Sequence, residues 1–336
     1  MGNIPIISTA QHSTAHSCSE VSAVIPSIPQ DIDTLIKNTK FFFKYLPIKN
    51  IYVVGPKSIA EKVHSADNSR LIFMDENEFV DIPKIKRLYA AKAENDIGRA
   101  GWYVQQYIKM QFARFIQDEY YLIWDSDTIP LKPIDLFDEA SGKPIMRCGS
   151  VMRSSYAGYL STFDRILPNI KNTVIDTSFV REHMLIKTQY MLELLDEINS
   201  NSDYAGDNFQ EKIINAAEAK YLHYGFSEFQ TYGIFITARY PASYIFTEKW
   251  RTLRTGQRFC DNATSLSEEQ IKWFASRYNV MSIEKWQRPT RLSKLVDSKA
   301  FRMLFPPTML EILAQPARIF VPPKYRSYVK RFLHLK

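Results

Sequence analysis

Four short apolar runs, each closed by a turn former or an acid, alternate with stretches of helical spacing over the first third of the chain. Residues 21–25 run into Pro26-Ser27, 50–54 into Gly55-Pro56, 71–74 into Asp75-Glu76 and 120–124 into Asp125-Ser126-Asp127. Between them, residues 32–45 carry Ile32, Leu35, Ile36 and Phe42/Phe43 at a spacing that makes one apolar face, and residues 102–116 read as a long helix. Strands that alternate with helices join by crossovers rather than hairpins. The pattern therefore predicts an α/β fold: a mostly parallel sheet with helices on both faces.

The second half is less regular. Residues 143–146 and 178–186 are predicted strands, and 188–198 and 208–219 predicted helices. Residues 226–233 form a polar–aromatic segment, followed by a β-rich piece over 234–246. From about 281 the chain is divided by Pro289, Pro306-Pro307, Pro316 and Pro322-Pro323. Residues 281–336 hold 12 Lys/Arg against three Asp/Glu, so the formal charge of +7 is a property of this end. The expected organisation is a polar segment 1–19, a catalytic domain 20–280 and a basic, Pro-rich C-terminal appendage 281–336.

Several classes are disfavoured. The chain has 11 Gly and no Gly-rich phosphate loop, so neither the Walker nor the Rossmann fingerprint is present. Cys18, Cys148 and Cys260 are too few and too scattered for a disulfide framework or a zinc knuckle. Residues 1–17 lack a basic-then-apolar leader pattern, residue 6 is Ile where myristoylation wants Ser or Thr, and no apolar run has the length of a membrane span. These features lead us to expect a cytoplasmic protein.

Strand-terminal acids matter because the carboxyl edge of an open α/β sheet is where ligands bind. Hard cations such as Mg²⁺ or Mn²⁺ take carboxylates together with substrate phosphates. Asp125 and Asp127 meet that description. The chain's other Asp-x-Asp, Asp31-Ile32-Asp33, opens a predicted helix, where capping and dipole compensation explain it.

With these motifs the chain resembles a nucleotide-sugar glycosyltransferase of the GT-A fold. The residues that carry the likeness are Val24-Ile25-Pro26-Ser27, Phe73-Met74-Asp75-Glu76, Gly101 to Gln106 with Lys109, and Ile123-Trp124-Asp125-Ser126-Asp127. Ser178 to Met184 and Phe226 to Gly233 add to them. As an ordered set, over about residues 20–245, they are similar to a bacterial group found with surface-polysaccharide genes.

The resemblance implies a UDP- or GDP-linked sugar donor and a lipopolysaccharide, capsule or other glycan or lipid-linked acceptor. It also implies Mn²⁺ or Mg²⁺ held by Asp125 and Asp127, with His183 completing the metal site or touching the sugar. Pro26, Ser27, Asp75 and Glu76 would meet base and ribose, and Asp125 the ribose or a metal-bound water. Arg99 and Lys109 would neutralise phosphate. Glu228, between Phe226 and Phe229, is the expected general base of an inverting displacement, with Asp207 as an N-cap or sugar contact. The basic aromatic tail, with Arg318 to Val321 and Tyr325 to Leu333, is expected to dock on the anionic inner face of the cell membrane.

Two alternatives stand beside this reading. Asp125-Ser126-Asp127-Thr128 also fits the nucleophile motif of haloacid-dehalogenase-like phosphatases, with Asp125 attacking phosphate and Asp207 and Glu211 downstream. The tail's cations and aromatics would suit RNA, but no compact nucleic-acid motif accompanies them, so nucleic acid is not the expected partner.

Overall fold

A computed structural model describes residues 20–93, 97–150, 156–171, 176–260, 262–284 and 290–314. β1 (Val21–Pro26) leads to α1 (Ile32–Tyr45), β2 (Ile48–Gly55), the short α2 (Ala60–His64) and β3 (Leu71–Asp75). α3 (Ile82–Lys92) and α4 (Ala100–Gln111) precede β4 (Tyr120–Trp124) and β5 (Thr128–Pro130). Then come β6 (Ile145–Arg147), β7 (Gly149–Ser150), α5 (Tyr156–Ile166), β8 (Thr177–Ser178) and β9 (His183–Lys187). α6 (Thr188–Ser200), α7 (Phe209–Ala216), α8 (Glu228–Arg239), β10 (Ile245–Thr247) and β11 (Thr252–Leu253) follow. The last elements are α9 (Glu268–Ala275), β12 (Val280–Ser282), α10 (Ser293–Asp297), α11 (Lys299–Leu304) and α12 (Thr308–Ala314).

These elements pack as two compact units. The first holds described residues from 20–36, 47–126 and 135–249, the second those from 37–46, 127–134 and 250–336. The expected boundary after residue 280 falls inside β12.

In the first unit a five-stranded sheet has the order β3-β2-β1-β4-β9. β1 to β4 are mutually parallel and β9 runs antiparallel to β4, which gives the expected mostly parallel α/β sheet. β1 is buried along its whole length, which is why its sequence is a continuous apolar run rather than an alternating one. The register aligns Pro26 with Val54, Gly55 with Asp75 and Trp124 with His183. The carboxyl ends of β1 to β4 and the start of β9 therefore share one edge. Gly55 is required there, because a Cβ on it would stand 2.4 Å from the Ser27 carbonyl oxygen. Helices α3 to α8 close the core, with Tyr103, Tyr107, Phe112, Phe209, Phe226 and Tyr232 inside it.

Two sequence expectations change. The β-rich piece over 234–246 opens as helix, because α8 continues to Arg239, and only its last two residues, Ile245 and Phe246, are strand. The Ser227 side chain accepts from the Gln230 N–H and fixes the start of α8, and burial of residues 228–236 outweighs their β-branched and aromatic preference. The strand expected over 178–186 is broken into β8 and β9. α3 and α5 carry no matching expectation. α3 has Asp81 as N-cap, accepting from the Lys84 N–H, and proline in its first turn.

In the second unit β12 lies between β11, to which it is parallel, and β5, to which it is antiparallel. α9 starts with a capping box between Ser267 and Gln270. Residues 290–314 pack on this unit: Gln270 donates to the Val296 carbonyl, Trp273 to that of Phe305, and Tyr278 to the Glu311 carboxylate. Residues 317–336, expected to dock on membrane, lie outside the described residues. No described helix is long and apolar enough to cross a membrane.

Candidate active site

α4 runs back along the sheet into β4, so its residues pass behind the β4 carboxyl end. Gln106 and Lys109, three residues apart, lie on one helix face. The Lys109 side chain is buried, and its Nζ reaches Asp125 Oδ1 at 2.7 Å and Glu228 Oε1 at 2.8 Å. It also stands 4.7 Å from the centre of the Phe229 ring. Burial works against this ammonium, but the two carboxylates hold it above the usual lysine range. Glu228 is the first residue of α8 and 4% exposed. Burial pushes its carboxyl up, and Lys109 pulls it back. Its backbone N–H donates to Gln106 Oε1 at 3.0 Å.

Asp125 is anchored on both sides. Its N–H donates to the Glu182 carbonyl at 3.0 Å, extending the β4–β9 pairing by one bond. One carboxylate oxygen is taken by Lys109, while the side chain as a whole stays 36% exposed. Strand, buried ammonium and helix start together present a fixed, partly open carboxylate at the sheet edge.

Ser27, just past β1, and Asp75, the last residue of β3, lie at the same edge. Ser27 donates its N–H to the Val54 carbonyl at 2.8 Å, and its buried Oγ has no hydrogen-bond partner among the described residues. A buried hydroxyl in this state is free to bond a water or a ligand at the edge. Asp75 caps the turn after β3, accepting from the Asn77 N–H and amide. That backbone hydrogen bond chiefly holds its carboxyl below the usual range, with Lys57 3.5 Å away. Burial, then the Asp75 charge, raises the neighbouring Glu76.

His183 is buried in register with Trp124, their rings 4.8 Å apart. Burial first, then the charges of Arg147 and Arg181, lowers its pKa to about 3, so the imidazole is neutral. Arg99, at the start of α4, is sandwiched by Trp102 and Tyr224 at 4.8 and 5.2 Å from the ring centres.

In the second unit, the Asp127 carboxylate accepts from the Thr128 hydroxyl at 3.2 Å. Its carbonyl accepts from the Ile283 N–H at 2.7 Å. Among the described residues, no three His, Cys, Asp or Glu side chains come together as a metal-binding group. Asp207 stands in the loop before α7 and pairs with Lys84 at 2.9 Å, as does Glu211 at 2.7 Å. Those carboxylates, one exposed and one buried, are both paired with Lys84 rather than with the nucleophile site that the phosphatase alternative needs.

Gln106 and Ser227 were not singled out from sequence. The first had a signal in its three-residue spacing from Lys109, the second in the Ser-x-x-Gln pattern that opens α8.

The family described as "Family of unknown function (DUF6492)" matches residues 20–300. No curated protein matches the chain. Among solved structures, the apo form of mouse xyloside xylosyltransferase 1 is similar at 11% identity and TM-score 0.37, over 79% of this chain and 97% of that one. The galactosyltransferase LgtC with donor and acceptor sugar analogues matches at 12% and 0.39, over 91% and 99%. The bifunctional glycosyltransferase WbbM matches at 12% and 0.39, over 90% of this chain and 53% of that one. With scores this low, the likeness assigns neither activity nor residue roles to this chain.

Proposed function

We propose that the chain, which belongs to the family of unknown function DUF6492, is a metal-dependent glycosyltransferase that moves a sugar from a UDP- or GDP-linked donor to a surface-glycan acceptor. One observation carries the reading. At the carboxyl edge of the sheet, the Asp125 carboxylate is fixed by a buried lysine, and the buried Ser27 hydroxyl has no partner among the described residues. An edge of this kind accepts a nucleotide.

Asp125 and Asp127, one residue apart in the chain, would hold Mn²⁺ or Mg²⁺. Two carboxylates suit a hard cation that keeps waters and takes its other ligands from a diphosphate. When bound, that ion neutralises the charge on the departing nucleoside diphosphate. Pro26, Ser27, Asp75 and Glu76 line the base and ribose side, and Arg99 is the cation for phosphate. His183, neutral and packed at a tilt against Trp124, shapes the wall behind Asp125.

Glu228 takes a different role from the one expected. A general base must lie within about 3 Å of the proton it takes, or one water away. Its carboxylate is instead enclosed with Lys109. Glu228 is proposed to hold Lys109, and Lys109 to hold Asp125. An inverting displacement through Glu228 is therefore not part of the proposal. On the acceptor side, lipopolysaccharide or capsule and the inner membrane face remain the proposed setting, on the basic composition of residues 281–336.

Calorimetric titration tests the assignment. UDP or GDP should bind with strong Mn²⁺ dependence, lost in Asp127→Asn and weakened in Asp125→Asn. Unchanged Mn²⁺ dependence in both variants would remove the two carboxylates from the site.

A further inference from the structure

α11 turns three large apolar residues toward water. Met303 is 77%, Leu304 74% and Phe305 40% exposed. The helix is not loosely held. Ser298 caps it at the Phe301 N–H, and the Phe301 ring packs on Trp273 and Phe305. Arg302 donates to the Val296 carbonyl and reaches Glu269 at 3.4 Å. Its outward face is thus a fixed feature of the second unit, and burying apolar surface of this size is what drives association.

Beside it runs an open groove of about 530 Å³, with Trp273, Arg277, Arg302, Met303, Leu304 and Phe305 in its wall. The lining includes two guanidinium groups and no acid. Arg277 is exposed, as are Arg291, Lys294 and Lys299 further along the chain. Beyond the last described residue, 315–336 adds six Lys/Arg and no Asp/Glu. Apolar residues and an indole beside cations match the boundary between acyl chains and anionic headgroups.

We propose that this face docks on an anionic lipid bilayer, with Met303, Leu304 and Phe305 entering the headgroup–acyl boundary and Arg277 pairing with lipid phosphate. This deepens the membrane setting given above by placing a contact outside the tail, and it does not depend on the transferase reading.

The test is co-sedimentation of the full chain with phosphatidylcholine vesicles and with mixed phosphatidylcholine–phosphatidylglycerol vesicles. The protein should bind the mixed vesicles at low salt, release as salt rises, and ignore phosphatidylcholine alone. Met303→Asp/Leu304→Asp should weaken binding at least about ten-fold, because two apolar anchors become charged. Arg277→Glu should weaken it as well. A melt matching the parent chain confirms that both variants fold. A chain lacking residues 317–336 should bind the mixed vesicles more tightly than the double variant does. Failure of the full chain to bind mixed vesicles at low salt overturns the proposal. So does a double variant that binds as well as the parent, which would leave the interaction to the tail. Nucleotide-sugar binding, followed in parallel, should be unchanged in all variants, so loss of one property is separable from loss of the other.

Discussion

Lys109 and Glu228 are 119 residues apart in the chain, and their charged atoms meet at 2.8 Å inside the fold. With Asp125 as the third member, the pair ties α4 and α8 to the end of β4. Removing one member of a buried ion pair leaves the other uncompensated, at a typical cost of about 3–5 kcal/mol. Lys109→Met should therefore destabilise the protein on that scale in urea melts. Lys109→Met/Glu228→Gln should recover part of the loss, because the buried charge goes with its partner. Additive losses would mean that the two groups do not interact.

Glu228→Gln separates support from base catalysis. A general base lost in this way lowers turnover by about 10²–10⁴-fold and leaves donor binding intact. Support through Lys109 predicts that Mn²⁺-dependent nucleotide affinity falls together with turnover, since Asp125 loses part of its anchor. Calorimetric titration of UDP and GDP reads the difference directly.

His183 should make stability pH-dependent. Its folded pKa is about 3 against an ordinary 6.5, so between those values the unfolded chain binds a proton that the folded one does not. Stability from this residue is fully present above 6.5 and is lost as pH falls, at up to about 1.4 kcal/mol per pH unit. Urea melts at pH 7 and pH 5 should show this slope, and His183→Gln should lack it whatever it costs at pH 7. An imidazole that titrates near 6.5 in the folded protein by NMR would contradict the assignment.

Gly233 allows α8 to lie against Phe179. A Cβ there would meet the Phe179 ring at 2.2 Å, too close for a ring held in the core to yield cheaply. Gly233→Ala should lose about 1–3 kcal/mol, the cost of overpacking, although alanine favours the helix itself. An unchanged or raised melting temperature would show that the ring moves freely.

The sequence was most legible where an apolar run met a strong stop. Gly55, Asp75 and Asp125 end β2, β3 and β4 or follow them directly, and α1 spans the residues its spacing predicted. It misled at 234–239, where Ile, Phe and Thr favour a strand in isolation while the Ser227 cap and the burial of residues 228–236 make a helix. At the site, it supplied Asp125, Lys109 and Glu228 as separate candidates. Their union depends on how α4 and α8 pack, which no local pattern encodes. The Glu228 environment was anticipated as aromatic, but the buried ammonium beside it was not. That ammonium changes the chemistry proposed for the carboxylate.

The central claim is a nucleotide-sugar bound with a divalent ion at the Asp125 edge of the sheet. A thermal-shift panel of UDP- and GDP-sugars, with and without Mn²⁺, tests it most directly, because a ligand bound only by the folded state raises the melting temperature. The account predicts that at least one nucleotide-sugar raises it in the presence of Mn²⁺, less or not at all without the ion, and not in Asp127→Asn. A panel in which none shifts the melt with Mn²⁺ present, or in which the shift survives Asp127→Asn unchanged, would contradict it.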